Sequence, residues 1–167
     1  MAENPQAPGR SINGSQLLIG IAALFVGLLV YLVDRPPEQT YFVHAYSYSI
    51  SQYHSLPNLF GPIGSSLPAF VHVFSFILLT AGLLSCGKKG CLIICLSWFL
   101  VDFAFELGQQ FKTWSANMIP DWFEGIPFLE SSKNYFLLGT FDFLDLAAIV
   151  FGTLAGYLVV LFTMEKR

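Results

Sequence analysis

Charged side chains are scarce in this chain of 167 residues, since Asp, Glu, Lys and Arg together make up only 11% of it. A soluble globular domain carries about 25%. Hydrophobic residues account for 54% of the chain, and the mean hydropathy is +0.61. This composition excludes an ordinary soluble domain and predicts an integral membrane protein whose main partner is the lipid bilayer.

Runs of basic residues are also missing from the sequence. The formal net charge is -3 and the sequence pI is about 5.5. Proteins that bind nucleic acid usually carry a dense cluster of Lys and Arg. We therefore expect no nucleic-acid partner.

The usual metal and catalytic motifs do not occur. There is no H-x-x-x-H, no C-x-x-C and no G-x-S-x-G, which are typical of zinc, redox and serine-hydrolase sites. Cys86, Cys91 and Cys95 are predicted to pack as small apolar residues. The sequence predicts no cofactor and no metal, although one His among several carboxylates leaves a weak alternative.

Four stretches are apolar and long enough for a membrane crossing, which needs about 20 residues. They predict an all-α integral membrane protein, a bundle of four transmembrane helices with two long outer connectors. The predicted spans are residues 16–33, 67–85, 91–110 and 135–163. Residues 1–15 are rich in Pro, Gly, Asn and Ser, and predict a disordered cytoplasmic tail before one domain at 16–167. The first span ends abruptly at Asp34-Arg35-Pro36-Pro37, which favours a retained span over a cleaved signal peptide.

The basic residues near the span ends predict the orientation. Arg10, the Lys88-Lys89 turn and the Lys166-Arg167 end fall on one side of the four spans. Both termini are therefore expected in the cytoplasm, and both connectors outside. Tyr41–Tyr53 and Trp114–Phe128 are rich in aromatic residues. They are predicted to lie against the membrane surface as short helices or ordered loops that cover a layer of polar residues within the spans.

Polar side chains recur inside the last three spans. An ionisable residue within a membrane costs about 2.5–3.5 kcal/mol on insertion scales and usually faces a protein interior or a wet cavity. Counting helical turns from the outer side puts these residues at a similar depth, so we expect five of them to converge in one pocket open to the outside. The five are His72, Glu106, Gln109, Asp142 and Asp145.

Asp102 and Gln110 are secondary candidates for the same pocket. Asp102 shares a helix face with Glu106 and Gln109, but it lies deepest and the sequence assigns it no neighbour. Three interpretations of the polar residues stay open. They bind a ligand, they form the acid–base pair of a membrane-embedded enzyme, or they only cross-link helices through hydrogen bonds worth about 0.6 kcal/mol each.

The order of these motifs resembles the VanZ-like membrane protein family. The resemblance rests on His72 followed by Phe76, on the E-x-x-Q-x-F pattern of Glu106–Phe111, and on Phe141-Asp142-Phe143-Leu144-Asp145 followed by Gly152 and Gly156. The chain departs from the family at three places. Gly139 stands where relatives have Arg, Ile149 where they have Asn, and Pro68-Ala69-Phe70 where they have Asp-Lys before the His.

The resemblance implies a protein of the bacterial cytoplasmic (inner) membrane. It implies a role in handling cell-envelope lipids or glycans, or in tolerance of glycopeptide antibiotics, by a mechanism that the family does not define. A lipid-linked or glycan ligand and other membrane proteins are the partners this would predict. The alternatives are a structural or accessory subunit of a larger membrane complex and an acid–base enzyme.

Overall fold

The computed structural model describes residues 12–36, 51–53, 59–127 and 129–164. All regular secondary structure in these ranges is helical. Four helices are apolar and long enough to cross a membrane, as predicted: α1 (Gly14–Val33), α2 (Leu67–Leu84), α3 (Lys88–Gln110) and α6 (Phe143–Thr163). Two short helices, α4 (Lys112–Asn117) and α5 (Ser132–Leu138), lie between α3 and α6.

Helix α2 packs against all three other long helices. Its contact with α6 is close because Gly152 leaves room, since a Cβ there would lie 2.6 Å from Val73 Cγ1 and 2.7 Å from the carbonyl oxygen of Phe70. Val73, Ile77 and Val160 are fully buried where these helices meet. Small residues are the usual means of close helix packing in membranes.

Helix α1 begins two residues earlier than the predicted span. Asn13 caps it by accepting a hydrogen bond from the backbone N–H of Gln16, as Asn does at helix N-termini. The Asn13 side chain also donates to the carbonyl oxygen of Thr163, and its backbone N–H donates to that of Gly82. The end of the predicted tail is thus tied to α2 and α6, while residues 1–11 lie outside the described ranges.

The prediction of one continuous fourth span over residues 135–163 is wrong. Helix α5 ends at Leu138, the backbone is extended at Gly139 and Asp142, and α6 begins at Phe143. Asp142 causes the new start, because its side chain accepts a hydrogen bond of 2.8 Å from the backbone N–H of Leu144. Asp142 and Asp145 therefore lie at the entry of α6, not two to three turns inside a span.

The connectors are described in part. Tyr41–Tyr53 lies outside the described residues apart from its last three, where the N–H of Gln52 donates to the carbonyl oxygen of Leu32. Trp114–Pro127 is ordered, with α4 and a short 3-10 helix at Asp121–Phe123, while Phe128 is not described. The prediction of short helices is confirmed for this second connector, and its position against a membrane stays a prediction.

Candidate functional site

Glu106 holds the break between α5 and α6 in place. Its side chain is only 5% exposed near the end of α3. The Oε1 atom accepts a hydrogen bond of 2.9 Å from the backbone N–H of Asp142, the N-cap residue of α6. A carboxyl group on one helix thus satisfies a donor at the start of another, and it fixes where α6 begins.

Gln109 connects the same group to α5. Its Nε2 donates to the phenolic oxygen of Tyr135 at 2.6 Å and, more weakly, to Glu106 Oε2 at 3.5 Å. Burial raises the pKa of Tyr135 above its usual value, so its phenol stays protonated at physiological pH. A Cβ at Gly139 would lie 2.7 Å from Gln109 Oε1. The side chain of Gln109 therefore fills the space beside Gly139.

Asp145 lies in the first turn of α6 and is left with an unsatisfied atom. Its Oδ1 is buried, and so is the hydroxyl oxygen of Ser66; neither makes a hydrogen bond with the residues described here. The Ser66 hydroxyl nevertheless lies within reach of a hydrogen-bonding interaction with the Asp145 carboxyl, and Arg35 and Asp142 act on that carboxyl through their charges. Among the described residues of the polar cluster, Asp145 and Ser66 are the ones that keep a buried oxygen without a hydrogen-bond partner.

Arg35 supplies the positive charge that the sequence analysis did not assign to the site. Its guanidinium lies over the ring of Tyr31, 5.1 Å from the centroid, and donates to the carbonyl oxygen of Ser65. Its charge acts on the carboxyls of both Glu106 and Asp145. Arg35 lies two residues after the first apolar stretch, and a basic residue so close to a span end could have indicated a role beside the acids. Arg35 therefore offsets part of the negative charge of these acids.

His72 pairs with Asp102 rather than with the acids of α6. Its Nδ1 shares a hydrogen bond of 2.9 Å with Asp102 Oδ1, and its ring lies 4.4 Å from that of Phe76 and 6.4 Å from that of Trp98. His72 is therefore the neighbour that the sequence could not assign to Asp102. Asp102 lies one helical turn before Glu106 on α3, so the His72–Asp102 pair forms a second layer beside the Glu106 group.

An open cleft of about 540 Å³ lies beside this polar network, at the end of α3 and the start of α4. It combines amide, hydroxyl and ammonium groups with three aromatic rings. The lining residues are Gln109, Gln110, Phe111, Lys112, Thr113, Trp114, Thr140 and Phe141. Gln109 and Gln110 were predicted from the sequence, whereas Lys112, Trp114 and Thr140 were not. Gln109 joins the cleft to the buried network.

The arrangement favours binding a polar ligand over holding a metal through the usual donors. Within the described ranges, no group of three or more His, Cys, Asp and Glu side chains could hold a metal ion. Glu106 and Gln109 are buried and hydrogen-bonded inside the chain, so they position the cleft wall. The exposed Gln110 and Trp114 and the half-buried Lys112 line the cleft and can contact a ligand there.

No protein-family model, curated protein or solved structure matches this chain. The resemblance to VanZ-like proteins therefore stays a prediction from the motifs themselves.

Proposed function

We propose that this chain is a multi-pass protein of the bacterial cytoplasmic membrane, a four-helix VanZ-like bundle whose outward-facing cleft binds the headgroup of a lipid-linked glycan. Four helices of sufficient length and hydropathy support membrane insertion. The Lys88-Lys89 turn supports an orientation with both termini in the cytoplasm. The cleft lies at the opposite end of α3 from that turn, and so opens to the outside.

The cleft beside the polar network is the observation that carries this proposal. Binding sites combine apolar surface with a few polar groups that fix the orientation of the ligand. Amide groups such as that of Gln110 both donate and accept hydrogen bonds, which suits sugar hydroxyls. The exposed ring of Trp114 offers a flat apolar face for a sugar ring, and the ammonium group of Lys112 suits a phosphate.

The buried network has a positioning role in this proposal. The hydrogen bond between Glu106 and the N–H of Asp142 fixes the extended segment that ends at the N-cap of α6. Thr140 and Phe141, which line the cleft, belong to that segment. Glu106 thus acts on the ligand only through the cleft wall.

Binding by single-residue variants in lipid nanodiscs tests the proposal. The probes are a polyprenyl diphosphate carrying a disaccharide, the same polyprenyl phosphate without sugar, and the free disaccharide. We expect Trp114→Ala to weaken binding of the lipid-linked disaccharide by about tenfold, equivalent to about 1.4 kcal/mol. Lys112→Gln should weaken both phosphate-bearing probes and leave binding of the free sugar unchanged.

Trp122 provides a matched control for the Trp114 variant. The two side chains are almost equally exposed, at 66% and 67%, and Trp122 lies outside the cleft. Trp122→Ala should bind the lipid-linked disaccharide as the wild type does. Equal losses in both variants, or no binding of any probe by the wild type, would contradict the proposal.

The orientation has a separate test. A membrane-impermeant thiol reagent is applied to intact cells that express a cysteine-free variant with a single new cysteine at Ser15 or Lys88. The proposed topology predicts no labelling from outside at either position. Labelling at either position would contradict it, whatever the cleft binds.

A structural or accessory subunit of a larger membrane complex is the second candidate. This role is favoured because the polar side chains already have hydrogen-bond partners within the chain, as Glu106, Gln109 and Asp102 show. Such bonds cross-link helices in membranes without any ligand. A double variant, Glu106→Gln with Asp145→Asn, separates the two roles. Loss of ligand binding in a protein that still folds favours the cleft, whereas a folded and fully active double variant favours the accessory subunit.

A further inference from the structure

Three sulfur atoms meet at the end of the molecule opposite the cleft. Cys91 Sγ lies 3.8 Å from Cys86 Sγ and 4.0 Å from Met164 Sδ. Cys86 is in the turn after α2, Cys91 is in the first turn of α3, and Met164 directly follows α6. Three separate elements of the fold therefore bring two thiols and a thioether together.

The distances of Cys91 Sγ from Cys86 Sγ and from Met164 Sδ suit a three-coordinate soft metal ion. With metal–thiolate bonds of about 2.3 Å, the sulfurs around such an ion lie about 4 Å apart. Thiolate and thioether ligands favour Cu(I) over harder ions. We propose that Cys86, Cys91 and Met164 bind one Cu(I) ion. The proposal does not depend on the function assigned to the cleft.

The backbone around Cys86 is arranged to place its thiol over α3. Ser85 has φ 44° and ψ 48°, a left-handed conformation that non-glycine residues adopt rarely. It turns the chain at the end of α2. Gly90 leaves the space that Cys86 occupies, since a Cβ at position 90 would lie 2.6 Å from Cys86 Cβ and 3.3 Å from its Sγ. A side chain at position 90 would therefore displace one of the three ligands.

Access and charge are also suitable for a cation of this kind. Cys91 is buried, at 2% exposure, whereas Cys86 is half-buried and opens a route from solvent. Two thiolates and one Cu(I) leave a single negative charge. The exposed Lys88 and Lys89 lie next to it at the N-terminus of α3, where the helix dipole also favours negative charge. Because the thiols must lose their protons, binding should strengthen as the pH rises.

Cu(I) retention by the purified full chain tests the site. The protein is reconstituted in nanodiscs under reducing conditions and titrated with Cu(I) against a competing Cu(I) chelator. We expect one Cu(I) per wild-type chain, and X-ray absorption that shows three sulfur ligands. Cys86→Ser and Met164→Leu should each weaken retention by about tenfold or more. Cys95→Ser is the control, because Cys95 is buried but is not one of the three proposed ligands. It should leave Cu(I) retention unchanged.

Two glycine variants keep the test independent of the buried ligands. Gly90→Ala retains all three sulfur ligands but displaces Cys86, so it should also weaken Cu(I) retention. Gly87→Ala is the matched control, because a Cβ there meets nothing within 4 Å, and it should retain Cu(I) like the wild type. The proposal is overturned if the wild type retains no Cu(I), if Cys95→Ser loses it as fully as Cys86→Ser, or if Gly90→Ala and Gly87→Ala do not differ.

Discussion

Replacing Glu106 by Ala is the sharpest test of how the α5–α6 break is held. The substitution leaves the N–H of Asp142 without its acceptor and removes the weaker acceptor of Gln109 Nε2. The charge of Glu106 faces two acids, Asp142 and Asp145, and the guanidinium of Arg35. The two acids disfavour the ionised carboxylate and Arg35 favours it, so these charge effects partly offset one another.

The expected cost follows from the burial of this bond. A hydrogen bond to a charged group contributes about 1.5–3 kcal/mol, and leaving a buried donor unpaired costs about 1–3 kcal/mol. The bond to Asp142 is only partly buried, so water replaces some of it. We expect Glu106→Ala to lower the free energy of unfolding by about 1–2 kcal/mol. Glu106→Gln keeps an acceptor for Asp142 and should cost less than about 1 kcal/mol.

Reversible unfolding in mixed detergent micelles, followed by circular dichroism, measures these differences. Gln110→Ala is the control, since this neighbouring side chain is exposed and should change stability by less than about 0.5 kcal/mol. The reasoning is refuted if Glu106→Gln destabilises as much as Glu106→Ala. It is equally refuted if Glu106→Ala behaves like the control.

Three further predictions concern packing, the second polar layer and pH. Gly152→Ala should lower the free energy of unfolding by about 1–3 kcal/mol, because the new Cβ overlaps the backbone of Phe70. Gly156→Ala should lower the free energy of unfolding by less, since the new Cβ would lie 3.2 Å from its nearest neighbour, the Cγ2 methyl of Ile77. Equal losses in the two variants would contradict this. Asp102→Ala should destabilise more than Gln110→Ala, because it leaves His72 Nδ1 unpaired. Hydrogen bonds from Lys133 to Glu124 and Asp121 raise the pKa of Lys133. These bonds therefore stabilise the fold below the ordinary lysine pKa, and this stabilisation is lost as the pH rises through the raised pKa. The free energies of unfolding of wild type and Lys133→Met should therefore converge at high pH.

The long helices could be predicted from hydropathy alone because each consists of about 20 mostly apolar residues, which is the length of a membrane crossing. Three of the four predicted spans agree with α1, α2 and α3 to within three residues at each end. The predicted start of the fourth span was wrong because residues 135–141 are mostly apolar. Hydropathy does not show where one helix ends and the next begins. The hydrogen bond from the backbone N–H of Leu144 to the side chain of Asp142 caps α6 and makes it begin at Phe143.

The site was predictable only where it lies on one helix. Glu106 and Gln109 share a face of α3, and the structure joins them to Asp142. The pairing of His72 with Asp102 depends on how α2 is rotated against α3, which sequence spacing does not determine. Arg35 lies beyond the end of α1, so its charge effect on the acids depends on how α1 packs against α2.

The central claim is that the cleft at the end of α3 receives the sugar of a lipid-linked glycan. Photo-crosslinking tests it most directly, using a lipid-linked disaccharide with the photoreactive group on its sugar and the full chain in nanodiscs. Peptide mapping by mass spectrometry should find the adduct on residues 109–114 or on Thr140 and Phe141, which line the cleft. Adducts concentrated on Trp122, which lies outside the cleft, or spread evenly over the exposed surface, would contradict the claim.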